Sequence, residues 1–259
     1  MPAAGQTIVH FPSGAPGRHV QLDAYLYQPS SGGKHPAAVF LHGCGGLLNK
    51  GVPESRARQW ASVLNERGYV VLMVDSFTPR GVRNMCAPSS FDERVYMARP
   101  YDAFAALAYL QQQSFVDPSR IALFGWSEGG GTVLFTVGGD ALSVASGYRA
   151  AVAFYPASCR ATMLGDEWQT RIPLLVLIGG SDVWTRAGPC AAAIGQKPNV
   201  EMKIYPGAYH DFDWPNDRVH AMPAYRTSGG VVPIAGEDPA AHDDAIRRVV
   251  DFLEKNLGS

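Results

Sequence analysis

The stretch Arg120-Ile-Ala-Leu-Phe-Gly-Trp-Ser-Glu-Gly-Gly-Gly131 indicates how this chain folds. Its first part, Arg120–Trp126, is an apolar run typical of a buried strand, and Gly129–Val137 has the pattern of a helix. The turn between them reads G-x-S-x-G around Ser127, and the flanking glycines allow a sharp bend that lifts the serine hydroxyl above the sheet. The same five letters occur in purely structural turns, so the functional interpretation rests on the strand before the motif and the helix after it.

Short apolar runs alternate with helical patterns along the chain. The further predicted strands are Val20–Tyr27, Pro36–His42, Tyr69–Asp75, Ala150–Tyr155, Pro173–Ile178 and Val200–Tyr205, and the further predicted helices are Ser55–Arg67, Tyr101–Gln113 and Asp238–Leu257. This alternation is typical of α/β proteins with a mostly parallel central sheet that helices cover on both faces. Because no linker rich in proline, glycine and serine divides the chain, residues 1–259 are predicted to form a single domain.

The composition excludes several classes of protein. Of the 259 residues, 46% are hydrophobic and 17% are charged, which is typical of a globular chain rather than a disordered one. The net charge is -1 and no block of basic residues occurs, so we expect neither nucleic acid nor a membrane as a partner. The N-terminus shows no basic and apolar leader, which predicts a cytoplasmic protein. A trimmed leader together with paired cysteines would instead indicate a periplasmic or secreted one.

Two further strand ends supply the partners that a serine nucleophile needs. In parallel sheets, ligand sites lie beyond the carboxyl ends of the strands, and two later strands are followed by Asp182 and by His210. The order Ser127, Asp182, His210 is the one expected for nucleophile, acid and base in this architecture. Asp182 is also a residue type that caps turns, and Asp75 and Asp211 are rival acids. Asp75 precedes the serine, and Asp211 adjoins the histidine too closely to point at its ring.

The segment His42-Gly43-Cys44-Gly45-Gly46 follows an early strand and is rich in glycine. Acyl transfer requires two backbone N–H groups aimed at the developing oxyanion. The sequence predicts the amides of Cys44 and of Glu128, the residue after the nucleophile, for this role. The alternative is that the segment forms only a tight loop. The Glu128 side chain either complements the positive end of the following helix dipole or has a gating or specificity role.

Five segments together resemble the α/β-hydrolase fold and, more narrowly, the dienelactone hydrolase family. They are residues 42–46 (HGCGG), 75–81 (DSFTPRG), 125–130 (GWSEGG), 180–182 (GSD) and 205–212 (YPGAYHDF), and the resemblance covers roughly residues 20 to 257. The namesake enzymes of the family use a cysteine nucleophile, whereas this chain has Ser127. Members with a serine resemble general carboxylic-ester hydrolases, so the resemblance implies that activity rather than hydrolysis of dienelactone.

These observations predict a serine hydrolase of carboxylic esters or lactones that works through an acyl-enzyme, with no metal or organic cofactor. Ser127 is the predicted nucleophile, His210 the base and Asp182 the group that orients the base. Only 17 residues, 156–172, separate two strands where related folds insert a lid, so we expect no large lid and small, soluble ester substrates. The alternatives are a peptidase or amidase of the same fold and a ligand-binding protein without catalysis. The sequence is compatible with a monomer and with a homodimer.

Several residues near the predicted triad are candidates for substrate binding. Arg80 and Arg83 lie in the loop after Tyr69–Asp75, where a guanidinium would bind a substrate carboxylate through two hydrogen bonds. An arginine there is equally consistent with a solvated or structural role. The candidates for an aromatic pocket, or for aromatic packing that supports the site, are Trp126, Trp184, Tyr209 and Trp214.

The four cysteines are too few for a disulfide scaffold and lack the CxxC spacing of a zinc or redox site. In the fold that the resemblance implies, Cys44 and Cys86 follow neighbouring strands, and so do Cys159 and Cys190. Of the three possible connectivities we therefore favour Cys44 with Cys86 and Cys159 with Cys190. Four free thiols are the alternative.

Overall fold

The computed structural model describes residues 6–17, 19–138, 147–227 and 229–258, and an eight-stranded sheet forms its centre. The strands are β1 (Gln6–Pro12), β2 (Gln21–Tyr27), β3 (His35–Leu41), β4 (Val70–Asp75), β5 (Val116–Trp126), β6 (Ala150–Phe154), β7 (Leu174–Gly179) and β8 (Val200–Tyr205). Only β1 lacks a predicted counterpart. It is an edge strand in which Phe11 alone is buried, so it carries no apolar run that a sequence pattern would reveal.

The strand order places the predicted chemical residues on one edge of the sheet. The order is β1-β2-β4-β3-β5-β6-β7-β8, with β1 and β2 antiparallel to their neighbours and all pairs from β4 to β8 parallel. In the middle, Val39 of β3 pairs with Leu72 of β4 on one side and with Leu123 of β5 on the other. The parallel strands therefore present their carboxyl ends at a common edge, where the site residues follow β3, β5, β7 and β8.

Helices cover both faces of this sheet, as the α/β-hydrolase prediction requires. Those of at least two turns in the described part of the chain are α1 (Ser55–Asn65), α2 (Glu93–Gln111), α3 (Glu128–Val137), α4 (Ala187–Ile194) and α5 (Pro239–Leu257). Helices α2 and α3 pack against each other on one face. Helices α1 and α5 meet on the other, where the rings of Trp60 and His242 lie 6.5 Å apart. The predicted fold class is confirmed.

Helix α2 begins at Glu93, two turns before the predicted start at Tyr101. The Asp92 side chain accepts a hydrogen bond from the amide of Arg94 at 2.9 Å and so caps the first turn. Pro100 lies inside the helix, where it removes one backbone donor, yet the helix continues through it. A proline normally indicates a helix boundary, and this is why the sequence pattern showed only the second part of the helix.

The centre of the core is aromatic and supports the end of β5. The rings of Trp126 and Phe154 stack 5.2 Å apart with an interplanar angle of 9°. The ring of Trp60 lies 5.0 Å from Phe154, and that of Phe40 lies 5.0 Å from Trp126. Because large aromatic side chains bury much apolar area in fixed geometry, this cluster holds β5 rigidly up to the residue before Ser127.

The remaining regular structure is small. It consists of the hairpins Leu48–Asn49 with Val52–Pro53 and His220–Ala221 with Ile234–Ala235, the helical turn Ala161–Leu164 and the 3-10 turns Thr78–Arg80 and Pro88–Ser90. Residues 156–172 hold that single helical turn, so this segment contributes no large lid. Among the described residues, no helix combines the length and the apolar character that crossing a membrane requires.

Candidate active site

Ser127 lies at the sharp turn between β5 and α3, with φ 53° and ψ -112°. Residues other than glycine rarely adopt such a backbone conformation, which costs about 1–3 kcal/mol. Two backbone hydrogen bonds hold it, from Ser127 N to the Phe154 carbonyl (3.0 Å) and from Ala157 N to the Ser127 carbonyl (2.8 Å). A Cβ atom on Gly125 would overlap the carbonyl of Gly129, so packing at the bend requires the glycines of the motif.

A chain of hydrogen bonds joins Ser127 to His210 and Asp182. His210 Nε2 lies 3.0 Å from Ser127 Oγ, and His210 Nδ1 lies 2.7 Å from Asp182 Oδ2. The Asp182 carboxylate also accepts bonds from the amides of Trp184 (2.8 Å) and Thr185 (2.9 Å) and from the Thr185 hydroxyl (2.7 Å). Asp182 therefore caps its own turn and faces the imidazole as well, so the two alternatives for this residue both apply.

The charges of this pair shift the two pKa values in opposite directions, and both shifts favour the charged forms. Burial acts to lower the pKa of His210, but the negative charges of Asp182 and Asp211 outweigh it and raise that pKa above 6.5. Burial acts to raise the pKa of Asp182, but the charge of His210 and the hydrogen bonds from His210 and Thr185 lower it below 3.8. The site thus favours an imidazolium next to a carboxylate, which is the state formed when His210 takes a proton from serine.

The two rival acids have other partners. Asp75 Oδ1 accepts hydrogen bonds from the amides of Phe77 and Thr78, each at 2.9 Å, and so closes the turn after β4. Asp211 Oδ1 lies 2.6 Å from the Arg56 guanidinium. Asp211 thus influences His210 through its charge, without a hydrogen bond to the imidazole ring.

The two amides predicted to face an oxyanion both have a free N–H. Glu128 is the first residue of α3, and a first-turn N–H has no acceptor within its helix. The N–H of Cys44 likewise donates to no acceptor among the described residues. The loop before Cys44 is fixed by His42, whose Nδ1 donates to the Gly43 carbonyl (2.7 Å) and whose Nε2 accepts from the Ser76 amide (3.3 Å). Burial, with the charge of Arg99, lowers the pKa of His42 to about 3, so its ring is neutral.

Arg99 of α2 connects the two chain segments that carry these amides, and the sequence analysis did not single it out. Its guanidinium donates to Glu128 Oε1 at 2.6 Å and to the carbonyl of His42. The Arg99 side chain is fully buried, and that of Glu128 is 7% exposed. The Glu128 side chain therefore serves as the partner of a buried cation. Sequence carried no signal for this contact, because the pattern left Arg99 outside the predicted helix.

A second buried network lies behind His210. Asp213 accepts hydrogen bonds from the Tyr155 hydroxyl (2.6 Å) and from the indoles of Trp60 and Trp126 (2.8 Å each). The ring of Tyr155 lies 4.5 Å from that of His210 and so supports the imidazole. Of the two roles predicted for Trp126, the structure contradicts the substrate pocket and fits the supporting aromatic packing, because the residue is only 1% exposed and its one donor is used by Asp213.

Arg80 and Tyr209, two other candidates for substrate binding, do not line the cavity. The Arg80 guanidinium makes a two-pronged pair with Asp102 (2.8 Å each) and donates to the Ser76 carbonyl (2.7 Å) and to Ser13 Oγ (3.1 Å). Its side chain is 7% exposed and both terminal nitrogens are paired, which fits the structural one of its two predicted roles. Tyr209 is half-buried and does not line the cavity at Ser127.

Of the remaining candidates, one lines the cavity and two do not. Trp184 lines the cavity, and its ring lies 5.1 Å from that of His210. Trp214 packs instead over the guanidinium of Arg56, 4.4 Å from its carbon atom. Arg83 is exposed and is not among the residues that line the cavity.

Ser127 opens into a cavity of about 740 Å³, within the usual range of ligand sites. Its walls come from the loops after β4, β6 and β7 and from Arg226, Thr227 and Gly229 of the long connection after β8. Arg160, Arg186 and Arg226 lie at the cavity and are exposed. Within the described ranges, no cluster of histidine, cysteine and acidic side chains is arranged to hold a metal ion.

All four cysteines form disulfides, in the pairing that the sequence analysis favoured. Cys44 is bonded to Cys86 and Cys159 to Cys190. The first bridge joins the loop after β3 to the loop after β4, and the amide of Met85 donates to the Cys44 carbonyl beside it (2.8 Å). The second joins the loop after β6 to α4. Each closes a loop of a few tens of residues, which stabilises the fold by about 3–4 kcal/mol in the chain-entropy view.

Similarity to other proteins extends over most of the chain. A Bradyrhizobium sp. protein named "Probable 2-oxo-3-(5-oxofuran-2-ylidene)propanoate lactonase" is 24% identical over 216 residues, which cover 78% of this chain and 82% of that protein. The match to YtaP of Bacillus subtilis (strain 168), 29% identical over 126 residues, covers 43% of this chain and only 42% of YtaP.

Solved structures show the same fold at low identity. The dienelactone hydrolase-like promiscuous phosphotriesterase P91 from metagenomic libraries has a TM-score of 0.73 at 19% identity, over 99% of this chain and 100% of that one. Thermogutta terrifontis esterase 2, in the form phosphorylated by paraoxon, has a TM-score of 0.63 at 20% identity, over 97% and 94%. The family model described as the dienelactone hydrolase family matches residues 22–257. The chain therefore belongs to the dienelactone hydrolase family of hydrolases.

Proposed function

We propose that the protein is a serine carboxylic-ester hydrolase that cleaves esters or lactones through an acyl-enzyme. The observation that carries this proposal is the hydrogen-bonded chain Ser127–His210–Asp182, with Ser127 facing an open cavity. Its members have the order, the contacts and the shifted pKa values that nucleophilic catalysis by serine needs. No step in this mechanism requires a metal or an organic cofactor, and the partner is a small-molecule ester.

In the first half of the proposed reaction, Ser127 Oγ attacks the carbonyl carbon of the ester while His210 Nε2 takes the hydroxyl proton. Asp182 stabilises the imidazolium that results. The carbonyl oxygen gains a negative charge, which the amides of Cys44 and Glu128 stabilise by hydrogen bonds, each worth about 3–4 kcal/mol in the transition state. The tetrahedral intermediate then expels the alcohol, to which His210 returns the proton, and the acyl group remains on Ser127.

In the second half, water replaces the alcohol and the same groups act again. His210 removes a proton from the water, whose oxygen attacks the acyl carbon. The intermediate collapses, the bond to Ser127 Oγ breaks and His210 returns the proton to that oxygen. A carboxylic acid leaves, and the protein regains its starting state. For a lactone, acid and alcohol are two ends of one product.

Labelling with paraoxon tests the nucleophile directly. Attack of Ser127 Oγ on phosphorus forms a diethylphosphoryl serine and releases 4-nitrophenolate, so we expect one phosphoryl group per chain and one equivalent of the coloured product. Peptide mass spectrometry should place the group on Ser127, and Ser127→Ala should remain unlabelled. Labelling of another serine at equal rate would contradict the assignment.

Amide substrates separate the ester hydrolase from its two rivals. Matched aryl esters and anilides of one acid share the acyl part and differ in the leaving group. We expect ester cleavage to exceed anilide cleavage by several orders of magnitude in kcat/KM. Comparable rates would favour a peptidase or amidase, and stable binding of the ester without a burst of product would favour a ligand-binding protein.

The pH dependence should report the raised pKa of His210. The reaction needs the neutral imidazole, so kcat/KM should fall as the pH decreases through that pKa, with the acid limb above pH 6.5. In Asp211→Asn a negative charge near the ring is lost while Arg56 stays positive, and the limb should move to lower pH. Asparagine suits this position because Asp211 has φ 58°. Asp23→Asn serves as the control, because the Asp23 side chain is 41% exposed, pairs with His10 and does not line the cavity. An unmoved limb in Asp211→Asn would contradict the electrostatic argument.

The disulfides also bear on where the protein works. Bridges persist in oxidising compartments and are rare in the cytosol, so we propose a periplasmic or extracellular site of action. Alkylation of thiols before and after reduction, in protein taken directly from its source cells, should show four protected cysteines. Four freely alkylated cysteines would contradict this proposal.

A further inference from the structure

One side of the cavity at Ser127 is apolar, and we call it the apolar wall. It is formed by Met85, Phe91, Tyr96, Met97, Phe135 and Met163. Three of its members are unusually exposed for large hydrophobic side chains, with Phe91 at 47%, Met97 at 52% and Met163 at 43%. They come from separate segments, namely the loop before α2, α2 itself and the helical turn Ala161–Leu164, and yet they meet at one cavity. Exposed apolar side chains that gather at one site indicate a binding surface.

Part of the wall is backed by a buried apolar cluster. Met85 and Tyr96 belong to a buried apolar cluster with Phe77 and Val95, and Phe135 packs against that cluster. The ring of Tyr96 lies 5.6 Å from that of Phe91 and 6.0 Å from that of Phe135, which makes a row of three aromatic rings. The Tyr96 hydroxyl lies 3.2 Å from Ser158 Oγ, so its polar end is satisfied away from the row.

Trp184 also lines the cavity, and its ring lies 5.1 Å from that of His210 and stacks with that of Tyr225 at 5.4 Å. An apolar group bound in this cavity can therefore contact the apolar wall and the Trp184 ring, close to the His210 imidazole. Methionine side chains such as Met97 and Met163 are flexible and polarisable, so they fit apolar groups of different outline. These features together describe a site for a flat or branched apolar group next to the nucleophile.

Resting on the proposed ester hydrolysis, we propose that the substrates are esters with an apolar group at least as large as a benzene ring, bound across the apolar wall. A small ester would leave the wall in water and gain nothing from it. A ring that covers the wall removes apolar surface from water on both partners, and each buried methylene-sized unit favours binding by about threefold to fourfold. The enzyme would then select its substrates by apolar size.

Two matched series of esters test this proposal. One series keeps acetate and varies the alcohol through ethyl, benzyl and 2-naphthylmethyl, and the other keeps ethanol and varies the acid through acetate, benzoate and 2-naphthoate. Each kcat/KM is divided by the rate constant for hydrolysis by hydroxide, which removes differences in chemical reactivity. We expect at least about a tenfold rise with ring size in one of the two series. A flat response in both would overturn the proposal.

Variants of the exposed wall residues connect that rise to the wall. In the triple variant Phe91→Ser, Met97→Ser, Met163→Ser, the advantage of the largest ester over ethyl acetate should fall at least about threefold. The control is Ile8→Ser with Val52→Ser, which changes two equally exposed apolar residues (51% and 50%) outside the cavity and should keep the full advantage. Equal loss in the control would overturn the role of the wall.

Two further measurements distinguish failure of the proposed ester hydrolysis from failure of the inference about the apolar wall. If paraoxon fails to label Ser127 and ethyl acetate is not hydrolysed, the proposed ester hydrolysis itself fails. If both reactions occur but size has no effect, only the inference about the wall fails. Sedimentation velocity of the wild type and the triple variant completes the test. If the wild type is a dimer and the triple variant is a monomer, then Phe91, Met97 and Met163 bind a second copy of this chain instead of substrate.

Discussion

Replacing Ser127 by alanine should lower kcat for ester hydrolysis by roughly 10⁴-fold or more, the scale seen when a serine nucleophile is removed. The variant keeps His210, Asp182 and the two free amides but has no oxygen to attack the ester and no acyl-enzyme. The measurement is kcat for 4-nitrophenyl acetate, with active sites of the wild type counted by paraoxon labelling. Water can still attack an ester that is bound to the two amides, and this residual reaction sets the lower limit of kcat in the variant.

A matched control separates loss of the nucleophile from disturbance of the turn. Ser158 lines the same cavity and, like Ser127, has a positive φ, of 60°. Ser158→Ala should therefore carry similar backbone strain and yet keep most of the activity. Ser127→Gly removes the hydroxyl while relieving the strain, and it should be as inactive as Ser127→Ala. Turnover in Ser127→Gly close to that of the wild type would refute the assigned nucleophile.

Replacing Arg99 by methionine should lower kcat by about 10²-fold with a much smaller change in KM. Arg99 does not touch the reacting atoms, but it contacts the carbonyl of His42 and the carboxylate of Glu128. It thereby fixes the segments whose amides, those of Cys44 and Glu128, we propose to bind the oxyanion. An amide that moves out of line stabilises the oxyanion less, and the loss of one such donor typically costs 10²–10³ in kcat. The substrate in its ground state places little charge on that oxygen, so binding changes less.

The same substitution leaves Glu128 buried without its cation, which destabilises the fold by about 3–5 kcal/mol. The double variant Arg99→Met, Glu128→Gln removes that charge, and should recover stability without recovering kcat. Arg80→Met is the control, because Arg80 is also buried and paired with an acid, Asp102, away from the cavity. It should lose stability and keep kcat per folded molecule.

A separate binding measurement shows whether Arg99 acts on the oxyanion. An aryl trifluoromethyl ketone adds to a serine nucleophile and carries a negative oxygen, whereas the matched methyl ketone does so hardly at all. Arg99→Met should weaken the fluorinated inhibitor about as much as it lowers kcat, and the methyl ketone much less. Equal weakening of the two inhibitors would mean that Arg99 supports the cavity as a whole.

Local patterns predicted the fold and the elements around the site well. Strands such as β3 and β7 are buried along their whole length, since helices cover both faces of the sheet. Their sequences are therefore largely apolar runs, which are visible without a structure. Ser127 follows β5 directly, and Asp182 and His210 lie three and five residues after the ends of β7 and β8, so position near a strand end indicated all three. Edge strand β1 was missed because one buried residue gives no pattern.

Residues that reach the site from a distance could not be predicted in the same way. Trp126 and Arg80 have the chemistry of substrate-binding residues, and only their partners Asp213 and Asp102, each far along the chain, show that they are structural. Arg99 presents the reverse case, because a proline next to it concealed its helix. Long-range polar contacts depend on tertiary packing, on which a single sequence carries no local signal.

Both disulfides end on the walls of the cavity rather than in the sheet, and this has a consequence for how the substrate range can change. Loops usually keep their shape through the side chains they bury, so altering those side chains endangers the fold. Here covalent bonds at Cys44, Cys86 and Cys159 fix the course of the wall-forming segments. Neighbouring side chains on these segments are therefore less needed to hold the loops in place. We expect libraries randomised at wall positions to retain folded protein more often than the same libraries made after both bridges are removed.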